Sequence, residues 1–367
     1  MIIGTIREIK NNEFRVGLTP SSVREYIHHG HQVLVEAGAG VNSGFDDAHY
    51  ESVGATIIGT AKEVWERSDM IVKVKEPLPA EYPYLRKDLI LYTYLHLAAS
   101  RELTDAMLAS GCKGVAYETI KLEDGTLPCL KPMSEVAGRI GAIEGAKFLE
   151  KPFGGSGLLV SGVPGTEQAN VAIIGAGVVG ENALKMLVGM GARVTVLDVN
   201  LKKLTYLDEL YNNRIQTLFS SADNIERTVK NADLVISAVL LPGGAAAPKL
   251  IKRSFYKDMR PGSVIVDVAI DQGGSTEVSK PTYHDNPTFV VDGVTHYCVA
   301  NMPGAVPRTS TVALNNATLK YGLMIADLGL DEAIRRSEPL KLGVNTYDGK
   351  CTCDGVCAAF GLTLQSI

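Results

Sequence analysis

Short apolar, β-branched runs alternate with amphipathic stretches along most of the chain. Residues 2–6, 32–36, 70–74, 89–95 and 114–117 read as strands. Helix starts fall between them. Thr19-Pro20-Ser21-Ser22 opens a helix that Gly30 can end. Thr60 with Glu63 gives a capping-box pattern, and Ser100 with Glu102 starts a third helix. Residues 134–151 read as a long helix with Ala, Ile and Leu recurring on one face. Six more strand candidates follow, at 171–174, 193–197, 215–219, 234–240, 264–269 and 289–292. A long helix at 308–328 and a short one at 331–336 come after them. Strands alternating with helices predict parallel sheets covered on both faces.

One stretch organises the rest. Residues 171–198 read as strand, tight turn, helix and second strand, with Gly175, Gly177 and Gly180 in G-x-G-x-x-G spacing. In such a unit the first glycine allows the turn, the second lets backbone approach a pyrophosphate, and the third lets helix pack on strand. The helix N-terminus offers unpaired N–H groups to the phosphates. Asp198 ends the second strand, where a carboxylate binds the adenosine ribose hydroxyls and repels a 2′-phosphate. The reading is therefore NAD rather than NADP. Six strands complete a dinucleotide-binding sheet, so the last helices should return to the first domain. The expected fold is α/β, with two Rossmann-like, doubly wound parallel-sheet domains and a cleft between them. The first is discontinuous, residues 1–130 plus 307–367, and the second, residues 131–306, binds NAD.

Composition narrows the function classes. Across 367 residues, 46% are apolar, 21% are charged and the net charge is −5. Nothing there points to nucleic acid or an anionic membrane as partner. The best apolar run, at 234–241, is cut short by Pro242-Gly243-Gly244, well below the roughly 20 residues a span needs. The first residues lack a signal-peptide layout, so a cytoplasmic protein with six reduced cysteines is expected.

Several side chains fall where ligands bind in such sheets, just past a strand's carboxyl end. Arg15 lies between the first strand and first helix, as a carboxylate clamp or a solvated surface arginine. Lys75 ends the run MIVKVKEP, where Lys73 and Lys75 either serve the crevice or decorate an edge strand. His96 ends ILYTYLH and is a proton-exchange candidate, while the other six histidines are read into polar helix ends or loops. Asp271 follows the strand containing Asp267, in a loop that serves either the nicotinamide or a turn. Asn301-Met302-Pro303-Gly304 is a nicotinamide contact or a plain hinge. Cys351, Cys353 and Cys357 have C-x-C-x₃-C spacing but no histidine to complete four zinc ligands, so no metal is expected.

Taken together, GTIREIKNNEFRVGLTPSSV, VKVKEP, YTYLHLA, KPMSEVAGR, IIGAGVVGENA, DVAIDQGG and HYCVANMPGAVPRTST resemble the alanine dehydrogenase and transhydrogenase α-subunit family, over essentially the entire chain. The transhydrogenase branch lacks the matching substrate set. The resemblance implies that Arg15 and Lys75 bind substrate and that His96 and Asp271 are catalytic. It implies cofactor contacts at Ser134, Val178, Val179, Asp198, Lys203, Ser220, Val239, Leu240, Val268, Ala269, Ile270, Asp271, Ala300, Asn301, Met302 and Pro303. The implied reaction is reversible oxidative deamination of L-alanine by NAD to pyruvate and ammonium, in a homo-oligomer, a hexamer in the family. The choice among small L-amino acids stays open, since one methylene is worth only about 1–3 kcal/mol of discrimination. A non-catalytic NAD-binding protein is the competing class. The cysteine-rich tail is not a feature expected of the family.

Overall fold

Alternate residues of single strands feed separate apolar clusters. In the strand Met70–Val72, Met70 and Val72 join one cluster and Ile71 joins another. A strand buried on both faces has to be apolar throughout, which is why these runs carry no polar alternation. The computed structural model describes residues 1–239 and 247–367. They form two compact units, Met1–Met133 with Gly304–Ile367, and Ser134–Pro303.

Numbered along the chain, the first unit holds β1 (Ile2–Thr5), β2 (Gln32–Glu36), β3 (Thr56–Ile58), β4 (Met70–Val72), β5 (Ile90–Thr93) and β6 (Lys113–Ala116). The second holds β7 (Asn170–Ile174), β8 (Arg193–Asp198), β9 (Gln216–Phe219), β10 (Leu234–Ser237), β11 (Val264–Asp267), β12 (Thr288–Val291) and β13 (Val294–Tyr297). The chain then returns to the first unit with β14 (Val344–Tyr347) and β15 (Lys350–Cys351).

The first sheet has eight strands in the order β15-β14-β6-β5-β4-β1-β2-β3. Its pairs from β6 to β3 are parallel, while β14 and β15 run antiparallel. The second has seven, in the order β12-β13-β11-β10-β7-β8-β9, all parallel except the β12–β13 hairpin. In both, the strand order reverses beside the unit's first strand, the switch point where doubly wound sheets bind ligands.

Two expectations need correction, and one open alternative closes. The second sheet has seven strands, not six. The sixth parallel position belongs to β13, and the predicted 289–292 strand is the antiparallel edge β12. His296 is not in a polar loop. It lies fully buried in β13, stacked on Phe289 at 4.9 Å, and burial pushes its pKa down to about 4. Lys73 does not decorate an edge, because β4 lies between β5 and β1 and Lys73 is fully buried. Among the described residues no helix is long and apolar enough to cross a membrane.

The helix read at 134–151 runs Lys131–Phe148, and the return helix runs Pro307–Leu328. That return helix anchors the loop after β1. Asn315 accepts from the Thr19 N–H at 2.9 Å and from Ser22 Oγ at 2.7 Å, and donates to the Gly17 carbonyl at 3.1 Å. The Val16 N–H donates to Thr311 Oγ1 at 3.3 Å.

Candidate functional site

In the first unit the loops after β1, β4 and β5 carry Arg15, Lys75 and His96, so β1 and β4 place two of them at the switch point. Arg15 is no surface residue. Its side chain is 2% exposed and Glu13 holds its fork, Nε to Oε1 at 2.6 Å and Nη2 to Oε2 at 2.5 Å. Its Nη1 faces Met133 Sδ at 3.0 Å. The Lys75 N–H donates to Glu8 Oε1 at 3.2 Å, and its carbonyl accepts from Thr93 Oγ1 at 3.0 Å. Burial, then the nearby Arg15 charge, lowers the Lys75 pKa.

His96 sits in the left-handed region, φ 48°, which costs a non-glycine residue roughly 1–2 kcal/mol. Glu118 holds it there, since Oε1 accepts the His96 N–H at 2.6 Å and the Leu95 N–H at 3.1 Å. The same Oε1 lies 3.9 Å from His96 Nδ1, and the ring stacks on Tyr94 at 5.9 Å. The imidazole stays exposed enough to exchange protons with a ligand or water.

The acids of this site were missed in the sequence. Lys73 lies between Glu8, at 3.1 Å, and Glu81, at 2.9 Å, with all three buried. Glu8 also accepts the Val74 N–H at 2.6 Å, tying the Lys75 segment to the loop after β1. Glu76 pairs with Lys10 through one oxygen, and its buried Oε2 has no hydrogen-bond partner. Burial would raise the Glu76 pKa, but Lys10 outweighs it and keeps it low. The available signal was basic residues at buried strand ends, which demand carboxylates near by.

In the second unit the glycines divide by role. A Cβ at Gly180 would meet the Gly175 carbonyl oxygen at 1.9 Å, so the third glycine lets helix Val178–Gly189 seat on the turn. Gly175 has φ 95° and lies against Ala238 and Val239. A Cβ at Gly177 would meet nothing within 4 Å, which leaves open space at the helix N-terminus for a pyrophosphate. Asp198 closes the turn, with Oδ2 accepting the Ala176 N–H at 2.6 Å and Oδ1 the Asn200 N–H at 2.7 Å. The Ser220 N–H donates to the Asp198 carbonyl at 3.0 Å. Thus Gly175, Gly177, Gly180, Asp198, Ser220 and Val239 gather at one sheet edge, where a dinucleotide fits.

The other residues are more dispersed. Val178 is exposed and Val179 buried in the first helical turn. Lys203 does not face that edge freely, because its Nζ pairs with Glu181 Oε2 at 2.6 Å. Ser134 is half-buried in the first turn of helix Lys131–Phe148. Val268, Ala269 and Ile270 are buried in the short helix after β11, and Asp271 is exposed there. Asp267 organises that loop, accepting the Ser275 N–H at 2.8 Å and the Ala269 N–H at 3.2 Å. Asn301, φ 63°, follows half-buried Ala300, and Met302 and Pro303 are buried. Leu240 lies outside the described residues. Among the described residues no group of three His, Cys, Asp or Glu side chains is arranged to hold a metal.

Comparison with known proteins gives the family. The family model "Alanine dehydrogenase/PNT, N-terminal domain" matches residues 4–137, and "Alanine dehydrogenase/PNT, C-terminal domain" matches residues 141–354. Alanine dehydrogenase 2 of Staphylococcus aureus (strain USA300) is 54% identical, covering 100% of this chain and 98% of that protein. Alanine dehydrogenase of Staphylococcus haemolyticus (strain JCSC1435) is 53% identical with the same coverage. A solved L-alanine dehydrogenase superposes with a TM-score of 0.95 at 50% identity, covering 98% of this chain and 99% of that one. A transhydrogenase from Sinorhizobium meliloti superposes at 0.82 with 25% identity, covering 96% and 99%. The chain belongs to the alanine dehydrogenase/PNT family.

Proposed function

We propose that the chain is an NAD-dependent alanine dehydrogenase, converting L-alanine and water reversibly to pyruvate and ammonium. The observation that carries the reading is the loop cluster of the first unit. A buried guanidinium, a half-buried lysine of lowered pKa and an exposed histidine share one sheet edge. That set suits a small anion bearing a carbonyl or amine. A merely structural ion-pair network would not leave Lys75 depressed and His96 exposed.

Arg15 and Lys75 hold the substrate carboxylate and carbonyl oxygen. Orientation by two cations, Arg15 buried and Lys75 half-buried, fixes the Cα–H bond before reaction. NAD, when bound, supplies the hydride acceptor, and the residues that would hold it are Gly177, Asp198, Ser220 and Val239. The Asp198 carboxylate is the observation favouring NAD over NADP. The α-ammonium group first gives one proton to solvent, and loss of hydride from the resulting amine turns the amino acid into a cationic imine. His96 takes a proton from water as the oxygen attacks the imine carbon and returns it to the nitrogen; the added hydroxyl gives its own proton to the departing ammonia, so the carbonyl forms as ammonium leaves. Asp271, exposed at the carboxyl edge of its own sheet, is assigned the remaining role, a carboxylate that stabilises the cationic imine.

The proposal extends to a hexamer in the cytoplasm. Exposed Ile143 and Val312 on the two long helices support self-association, and six free thiols support a reducing compartment. The test follows NADH absorbance with purified protein, NAD and L-alanine at alkaline pH. D-alanine, L-serine and glycine run beside it, as does NADP in place of NAD. Reduction with L-alanine and NAD is expected. NADH binding without turnover of any amino acid would overturn the enzyme reading.

A further inference from the structure

Three thiols lie near the end of the chain, and the proposed reaction uses none of them. Cys351 is in β15, and Cys357 is in the helix Asp354–Phe360. The fold brings the two sulfurs together, Cys357 Sγ donating to Cys351 Sγ at 2.7 Å. Cys351 Sγ in turn contacts the Cys353 carbonyl at 3.7 Å. Cys353 is placed differently, half-buried at the helix N-cap. The third thiol therefore does not join the other two around a metal.

We propose that Cys351 and Cys357 are an oxidisable dithiol, which a peroxide converts into a disulfide joining β15 to the terminal helix. Three observations support it. The sulfurs already touch, so closure needs no rearrangement of the fold and competes well against an external thiol. Both side chains are buried in one apolar cluster with Leu95, Leu97 and Val356, which bars bulky thiols but admits a small neutral oxidant. Cys357 is the donor of the pair, so its proton points at the Cys351 sulfur, and burial, then the contact with Cys351, pushes its thiol up to about 12.

The chemistry balances in two steps. The Cys351 sulfur attacks one peroxide oxygen, the O–O bond breaks, and the Cys351 proton leaves with the other oxygen as water. This gives a sulfenic acid. The Cys357 sulfur then attacks the Cys351 sulfur, the S–O bond breaks, and the Cys357 proton leaves with that oxygen as a second water. Two sulfurs have lost two electrons and the peroxide has gained them. The site adjoins the proposed catalytic histidine, because the terminal helix packs on the turn Leu97–Ala99 that follows His96.

The test treats the intact wild-type protein with hydrogen peroxide, alkylates the remaining thiols and cleaves before Asp354, which separates Cys351 and Cys353 from Cys357. The expected result is loss of two of the six free thiols, fragments held together until dithiothreitol is added, and the same link in Cys353→Ser. Cys351→Ser and Cys357→Ser should each lose it. A link through Cys353, or a sulfinic acid at one thiol with no cross-link, would overturn the proposal. If either serine variant fails to fold, the wild-type map and Cys353→Ser decide alone.

Discussion

His96 shows how one residue's chemistry depends on another's backbone contact. Its left-handed backbone is strained, and the Glu118 carboxylate pays out that strain through the His96 and Leu95 N–H groups. Glu118→Ala leaves both donors without this acceptor, a cost of about 1–3 kcal/mol for the buried Leu95 N–H, while the exposed His96 N–H can turn to water. Turnover should fall about 10–100-fold, the loss expected when a positioned acid–base group drifts. The KM for NAD should not change, and Glu118→Gln, which keeps one acceptor oxygen, should recover part of kcat. Equal losses in both variants would point to the charge rather than the backbone contact. Lys75 gives a second residue-level prediction. Its pKa is lowered by burial and by Arg15, so it loses its proton as pH rises through a value below the ordinary lysine value of about 10.4. Above that value it no longer attracts a carboxylate. In the aminating direction the KM for pyruvate should therefore rise with pH before an ordinary lysine titrates. A KM flat up to that pH would place the binding charge elsewhere.

Among elements, the strand–turn–helix–strand unit from β7 to β8 has the least tolerance. A methyl group at Gly180 would press on the Gly175 carbonyl, and backbone cannot step aside as a side chain can. Gly180→Ala should cost about 3 kcal/mol through overpacking and lift the helix N-terminus from its place. The Kd for NADH, read by fluorescence, should rise, and a Kd equal to wild type would show that the turn does not bind the pyrophosphate. That unit was legible in full, because turn, caps and apolar runs all act within a few residues. Other elements were not. The β12–β13 hairpin turns at Asp292 and Gly293, both with positive φ, a local signal that was present. What hid β13 is its composition, since Val294-Thr295-His296-Tyr297 is fully buried yet half polar. The short strands β3 and β15 owe their form to neighbours in the sheet rather than to their own residues. Likewise Arg15, Lys75 and His96 could be placed at strand ends, while Glu8 and Glu118 could not, because their partners are set by pairing across the sheet.

At the scale of the molecule, both sheets place parallel strands in the same order around a switch point, yet the first cannot be finished by the chain that begins it. Its remaining cover and two strands come from the last residues, and the join is polar as well as apolar. Asn315 is 2% exposed and uses its whole amide there. Its oxygen takes the Thr19 N–H and the Ser22 hydroxyl, and its nitrogen serves the carbonyls of Gly17 and Thr311. Thr311 keeps its place in the helix without that bond, and Ser22 can turn to Thr19 Oγ1 at 3.0 Å. The Thr19 N–H and the Gly17 carbonyl would lose this partner. Asn315→Ala should therefore destabilise the first unit by about 3 kcal/mol, the cost of leaving two buried backbone groups unpaired. For a unit of this size that lowers the melting temperature by about 6–12 °C. The consequence reaches the site, since residues 16–19 are the continuation of the Arg15 loop and the return helix is what pins them. The KM for L-alanine should rise, while the KM for NAD, whose proposed residues belong to the other unit, should stay near wild type. A melting temperature within a degree of wild type would show that the return helix merely lies against the loop, and a rise in KM confined to NAD would show that it holds something other than Arg15.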